Sequence, residues 1–322
     1  MKSVIVYYSQ TNSTRLVARA IRDGIREETG QCDLFTVKQA KGLDLSVYDL
    51  VGLGSPIWMG AETPNLRIWI DALPHQGGRH AFAFNTHGVM PELYFPSLVR
   101  RLEHKGFTVL GTRDWFGEAR FQTAASPYYT TGHPDEVDLQ EAHDFGREMA
   151  LNSPRVAAGE TSLVPPVPEL AWTPQLQILF EFFKTGHNPH GYMTYDRSKC
   201  NYPKCRICVD SCLMQYIDFD QEPRKYGSCG DHCDMWMGCT FCESICPTGA
   251  ISCDWEAQGK RNVTGGFRVG GNALHDGALK MIEEGRLRMK LPLDSIDWGH
   301  QFRHEHPKHP RYKIPKKESD EI

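Results

Sequence analysis

Short apolar runs alternate with amphipathic stretches along the first 150 residues of the chain. Ser3–Tyr8 (SVIVYY), Asp49–Gly54 (DLVGLG), Ala81–Phe84 (AFAF) and Thr108–Leu110 are apolar runs that end in Gly, Pro or polar positions, as strands do. Between them Leu16, Val17, Ala20, Ile21 and Ile25 recur at helical spacing. So do Leu98, Val99 and Leu102, and later Val137, Leu139, Ala142, Phe145 and Met149. Strands alternating with helices predict an α/β fold with a doubly wound parallel sheet covered on both faces. Ligands in that architecture bind beyond the carboxyl ends of the strands, so the segments after the strands are where chemistry is expected.

The rhythm breaks at Ser153–Pro174, where prolines accumulate without periodicity, as in a semi-rigid linker. Thr173-Pro174 then reads as the start of a short helix with Leu176, Leu179, Phe180 and Phe183 on one face, ending at Gly186. Four regions follow: a domain over 1–152, a linker with a short helix over 153–190, a cysteine-rich domain over 191–255 and a C-terminal extension over 256–322. The extension carries a charge balance of +3, against −3 for 1–152 and −4 for 153–255, and contains His300, His304, His306 and His309. A solvated or partner-docking extension accounts for these histidines better than a metal site does.

Composition narrows the classes. The chain has 322 residues, 40% hydrophobic, enough for two domains. No apolar run approaches the roughly 18–20 residues of a spanning helix, and the Val4–Tyr8 run is far from an export signal, so a cytoplasmic protein is expected. A net charge of −4 gives no case for nucleic-acid binding. Cys32 stands alone; the other ten cysteines lie between Cys200 and Cys253. In a reducing compartment that density points to metal ligation rather than disulfides.

Two groups of residues carry candidate chemistry. Ser9-Gln10-Thr11-Asn12-Ser13-Thr14 joins the first strand to the first helix, where free backbone N–H groups and the helix dipole favour an anion. No lysine follows at the position a nucleoside triphosphate loop requires. The cysteines form Cys200-x4-Cys205-x2-Cys208-x3-Cys212 and, after Cys229 and Cys233, Cys239-x2-Cys242-x3-Cys246-Pro247. Tetrahedral zinc also uses closely spaced thiolates, but paired zinc ribbons repeat C-x2-C dyads, whereas C-x2-C-x3-C occurs twice here.

The loop SQTNST resembles the phosphate loop of the flavodoxin family, with Asn12 in place of the glycine. Asn is the residue other than Gly best able to hold a positive φ. Gly54–Gly60 (GSPIWMG) and Asn85–Gly88 (NTHG) resemble that family's two flavin-ring loops. The resemblance implies FMN, with Ser9, Thr11, Asn12, Ser13 and Thr14 at the phosphate and Ser55, Pro56, Ile57 and Trp58 at the ring. Trp58 would lie against the isoalloxazine, and Asn85, Thr86, His87 and Gly88 would meet its polar edge, where His87 could tune the potential.

Gly238–Ile251 (GCTFCESICPTGAI) resembles two-cluster bacterial ferredoxins, in which the last cysteine of each run ligates the other cluster. That resemblance implies two [4Fe–4S] clusters: Cys200, Cys205, Cys208 and Cys246 on one, and Cys212, Cys239, Cys242 and Cys233 on the other. Cys229 is the alternative to Cys233, which needs the smaller insertion. Tyr202 and Trp236 occupy the places of the family's first cysteines, and Cys212 lacks the following proline. The whole chain thus resembles a flavodoxin–ferredoxin fusion, with a small ferredoxin-like α+β second domain. The implied function is electron transfer between FMN and two clusters, linking one- and two-electron partners among redox proteins. The alternative is reduction of a small substrate at the FMN. A homo-oligomer is compatible with either.

Overall fold

The computed structural model describes residues 1–58, 60–88, 91, 93–118, 127–170, 193–212, 215–222, 224, 241–253 and 276–296. The chain divides into two compact units. The first comprises Met1–Ala119, Pro127–Gln177 and Gly277–Ile296; the second comprises Arg120–Ser126, Ile178–Asp276 and Asp297–Ile322. The expected helix from Thr173 to Gly186, and Cys229, Cys233 and Cys239, lie outside the described residues, as does the histidine-bearing end of the chain.

In the first unit β1 (Ser3–Tyr7), β2 (Cys32–Thr36), β3 (Leu50–Pro56), β4 (Arg79–His87) and β5 (Phe107–Phe116) alternate with α1 (Ser13–Thr29), α2 (Pro64–Asp71), α3 (Tyr94–His104) and α4 (Glu136–Ala157). The strands form one parallel sheet in the order β2-β1-β3-β4-β5, the flavodoxin-like doubly wound order. Successive side chains on a strand point to opposite faces, which sorts the core into two layers. Val4, Val6, Val51 and Leu53 pack with Leu66, Ile70, Leu98 and Leu102 on one side. Ile5, Leu50, Phe82 and Phe84 pack with Val17, Ile21, Phe145 and Met149 on the other.

The second layer depends on two glycines. A Cβ on Gly24 would come within 1.9 Å of the His143 carbonyl oxygen, and one on Gly146 within 2.1 Å of that of Ile21. Helices α1 and α4 therefore touch backbone to backbone, which no other residue permits.

The structure differs from the sequence expectation at several edges. Strand β2 is an additional strand that begins at Cys32, a core residue. Strands β4 and β5 run well past Phe84 and Leu110, so Asn85, Thr86 and His87 are strand residues rather than loop residues. Helix α4 continues through Pro154, and Val164 and Val167 of the proline-rich stretch pack onto the two core layers.

Residues 277–296 return to the first unit through a charged clasp. Arg288 reaches Asp135 (3.3 Å), Asp138 and Glu141 (3.4 Å), and Lys290 reaches Asp135 (2.5 Å). These cations occupy carboxylates that would otherwise form a metal-like trio with His133. His133 is buried, with Nδ1 2.5 Å from Asp138 and Nε2 2.6 Å from the Arg288 carbonyl oxygen. Both partners are acceptors, so both ring nitrogens donate and the ring is an imidazolium.

In the second unit β6 (Met193–Tyr195) and β7 (Ile251–Cys253) pair antiparallel, with Tyr195 opposite Ile251. With α5 (Ile207–Ser211) and α6 (Phe241–Ile245) they surround a core of Cys208, Ile217, Phe219, Cys242 and Ile251.

Burial pushes the His133 pKa down, but the hydrogen bonds its ring donates to Asp138 and the Arg288 carbonyl more than offset this and leave it raised. A raised folded pKa gives stability that is complete below the ordinary histidine value near 6.5 and lost as pH climbs through the folded value. Urea unfolding of the wild-type protein and H133Q should therefore differ by about 1–3 kcal/mol at pH 6 and converge toward pH 9. An equal difference at both pH values would contradict a charged His133.

Candidate functional site

The carboxyl ends of β1, β3 and β4 bring the three expected segments to one edge of the sheet. After β1 the chain turns at Asn12, whose φ of 81° is left-handed, and α1 begins without a side-chain cap. The first-turn N–H groups of α1 therefore receive no bond from the Asn12 side chain, an arrangement that suits a phosphate. Ser9 Oγ accepts from the Arg15 N–H (3.2 Å) and holds the loop against the helix. Thr14 and Thr86 are both buried, with hydroxyls 2.7 Å apart, and staple the first segment to the third. Gly117 sits so close to them that a Cβ would lie 3.1 Å from Ser13 and 3.4 Å from Thr86.

The end of β3 is organised by Tyr94, a residue the sequence reading did not single out. Its buried hydroxyl accepts from the Ser55 N–H (3.0 Å) and donates to the Phe84 carbonyl (3.1 Å), bridging β3 and β4. Ser55 Oγ is committed to the same centre: it donates to the Pro56 carbonyl (2.9 Å) and accepts from the Thr63 N–H (3.3 Å). Ser55 thus shapes the segment from inside. Beyond Pro56 and Ile57, half-buried Trp58 pairs with Ala61 through two backbone hydrogen bonds of 2.9 and 3.1 Å. Gly60, at φ 81°, makes that turn possible. Glu62, fully buried, anchors the far side between Arg67 and Arg101, each at 3.2 Å.

At the end of β4, Asn85, Thr86 and His87 lie opposite Asp114, Trp115 and Phe116 of β5. His87 is buried, and its Nε2 is 2.8 Å from Asp114. Burial pushes the Asp114 carboxyl up, but the His87 hydrogen bond and charge more than offset this and hold it below the usual carboxylate range. Asp114 therefore stays ionised and keeps a proton on Nε2. His87 Nδ1 and both amide atoms of fully buried Asn85 have no partner among the described residues. Buried polar atoms without partners are uncommon in folded proteins. Here they sit where a flavin's polar edge would supply the bonds, so the residues fit FMN. Gly88 follows, its carbonyl held by the Tyr129 hydroxyl.

In the second unit Cys200, Cys205, Cys208 and Cys246 line one cavity, walled by Tyr195 and Phe219. Three come from the first cysteine run and one from the second. Burial and repulsion from Cys246, Cys200 and Cys205 push the Cys208 thiol up to about 12, so a cationic centre is what would hold Cys208 as a thiolate. Burial also pushes Cys246 up, but hydrogen bonds at the backbone of Ile251, Thr248 and Ala250 and the Thr248 hydroxyl more than offset it. Four converging thiols with hydrogen bonds aimed at sulfur fit an iron–sulfur cluster. Of the other expected ligands, Cys212 accepts from the Tyr216 N–H (3.2 Å) and Cys242 is buried nearby; Cys233 and Cys239 lie outside the described residues.

Several known proteins are similar to parts of this chain. A ferredoxin of Methanothermococcus thermolithotrophicus is 33% identical over 60 residues, which is 19% of this chain and 93% of that protein. Over that segment the chain belongs to the ferredoxin family. An uncharacterized protein of Methanocaldococcus jannaschii is 25% identical over 166 residues, 47% of this chain and 100% of its own length. Among solved structures, a flavodoxin from the domain Archaea is 19% identical, covers 48% of this chain and 99% of its own, and has a TM-score of 0.37. No family model matches the chain. The flavodoxin-like strand order and the ferredoxin similarity together support electron transfer involving flavin and iron–sulfur chemistry. Among the described residues no helix is long and apolar enough to cross a membrane.

Replacing Tyr94 by Phe leaves the Ser55 N–H and one lone pair of the Phe84 carbonyl without this partner. Urea unfolding should show a loss of about 1–3 kcal/mol for Y94F. An unchanged midpoint would remove Tyr94 from its bridging role.

Proposed function

We propose that this chain is an electron-transfer flavoprotein carrying FMN on its first unit and two [4Fe–4S] clusters on its second, serving redox partner proteins in a reducing cytoplasm. The observation that carries this reading is the cavity lined by Cys200, Cys205, Cys208 and Cys246. It repeats the crossed ligand pattern of two-cluster ferredoxins, with Cys212, Cys239, Cys242 and Cys233 left for the second cluster. When bound, FMN supplies one- and two-electron exchange and each cluster supplies one-electron exchange.

The protein's own groups set the terms of that exchange. The N–H groups at the start of α1, with Ser13 and Thr11 beside them, take the phosphate. Trp58, with Pro56 and Ile57, offers a flat apolar face to the ring. In the neutral ring of His87, Asp114 reserves the proton for Nε2, so Nδ1 is an acceptor for a ligand N–H. Asn85 offers both a donor and an acceptor beside it. The hydrogen bonds at the Cys246 sulfur stabilise added negative charge at its cluster.

Anaerobic purification followed by metal and flavin quantification tests the reading. It should give about one FMN and roughly eight iron per chain, as two cubane clusters require. A colourless, zinc-bearing protein would overturn the proposal. C246S should lose about half the iron and retain the flavin, whereas W58A should retain the iron and bind FMN more weakly by about 1 kcal/mol, the worth of an aromatic stack. Loss of both cofactors in C246S would contradict separate sites.

A further inference from the structure

One charged side chain of the second unit has no role in the ligand set yet stands beside it. Arg224 lies over three aromatic rings, with its guanidinium carbon 5.9 Å from the centroid of Tyr195, 5.5 Å from that of Tyr202 and 5.4 Å from that of Phe219. Tyr195 and Phe219 stack at 5.0 Å, and both line the cavity of the four thiols. The cage therefore holds the cation behind one wall of that cavity.

A hydrogen bond ties Arg224 to the wall of the cavity. Its Nη1 donates to the Tyr195 hydroxyl at 2.5 Å, and Tyr195 lines the cavity together with Cys200. The carboxylates nearby are engaged elsewhere: Asp220 accepts from the Tyr202 hydroxyl (2.5 Å) and Glu222 pairs with Arg197 (2.9 Å). Among the described residues the Arg224 Nε is buried without a partner. Three aromatic faces and one hydroxyl thus fix a positive charge against the rings that wall the thiol cavity.

We propose that Arg224, acting through Tyr195, is a positioning residue that raises the reduction potential of the cluster held by Cys200, Cys205, Cys208 and Cys246 relative to the other cluster. The inference rests on the two-cluster reading above. A cluster bound by four thiolates gains a negative charge on reduction, and a cation fixed against the cavity wall favours the reduced state. Two clusters of one type would thereby be set at different potentials, with this one the better electron acceptor.

The test is a redox titration of the full chain, purified anaerobically and followed by electron paramagnetic resonance, on the wild-type protein, R224Q, R224K and Y195F. The signal missing from C246S identifies the cluster concerned. R224Q should lower that cluster's equilibrium constant for reduction about tenfold, equivalent to about 59 mV for a one-electron couple. Y195F should move it in the same direction by less, R224K should restore most of the shift, and the other cluster should stay in place. An unmoved potential in R224Q at full iron content would overturn the proposal, as would equal movement of both clusters. If R224Q loses iron, Y195F decides: a selective downward shift supports a cation held in place by the Tyr195 hydroxyl, and an unshifted potential assigns Arg224 to packing alone. Wild-type protein without iron fails the parent reading, which is a separate result.

Discussion

Burying both faces of a parallel sheet is the constraint on which the first unit depends. Because all paired strands run the same way, their carboxyl ends share one edge, and the segments leaving that edge must converge there. The faces are covered by four helices, two of which approach so closely that Gly24 and Gly146 stand in for side chains. The cost appears at the strand ends. Asn85, Thr86 and His87 extend β4 beyond its apolar stretch and are buried with their polar atoms. Thr14 satisfies one and Asp114 another; the remaining valences point to a ligand. The site is thus a consequence of sheet burial carried past the end of the hydrophobic pattern.

The second unit meets the opposite problem. Its described core holds few large apolar side chains, and two of its five buried members are cysteines. A core so poor in large apolar side chains gains little from burial alone and relies on cross-links or metal. Thiols packed around one cavity repel as they ionise, so the apo arrangement is electrostatically unfavourable. A bound cluster converts that repulsion into ligation, which ties the folding of this unit to its cofactor. Groups such as Arg224 and the hydrogen bonds at Cys246 then act on a charge that the fold itself has concentrated.

Much of this was legible where the signal was local. The apolar runs of β1, β3 and β4 and the periodicity of α1 and α4 marked the alternation, and the resemblance to two-cluster ferredoxins implied the grouping of Cys200, Cys205, Cys208 and Cys246, which line one cavity. Strand β2 was missed because only its first residue is fully buried, which leaves an edge-strand pattern without a continuous apolar run. Asp114 was missed for a different reason: its meaning lies in the β4–β5 register opposite Asn85 and one step from His87, and register is a long-range property. Tyr94 carried a usable signal, since it precedes Leu98 and Leu102 at four-residue intervals on the buried face of α3. A tyrosine in that row implies a buried hydroxyl seeking partners. The return of 277–296 left only a sparse apolar signature, since Ala278, Leu287 and Ile296 are its buried apolar residues and ion pairs add to their hold.

That return also changes how the chain's charge should be read. Taken by region, the basic end looked like an appendage offset against acidic domains. In the structure its cations are spent individually: Arg288 and Lys290 neutralise Asp135 and Asp138 beside an imidazolium, and Arg286 adds to the field that keeps Asp114 ionised. Asp114 holds His87, and His87 stands at the end of β4 where the flavin's polar edge is placed by the proposed function. A residue late in the chain therefore bears on a site made from its first half. The second unit repeats the device with Arg224, a single cation fixed against the rings that wall the thiol cavity. Net charge describes neither case. What matters at both sites is that a positive charge is fixed in position beside the groups that must carry negative charge, since an exposed, mobile cation would be screened and would select nothing.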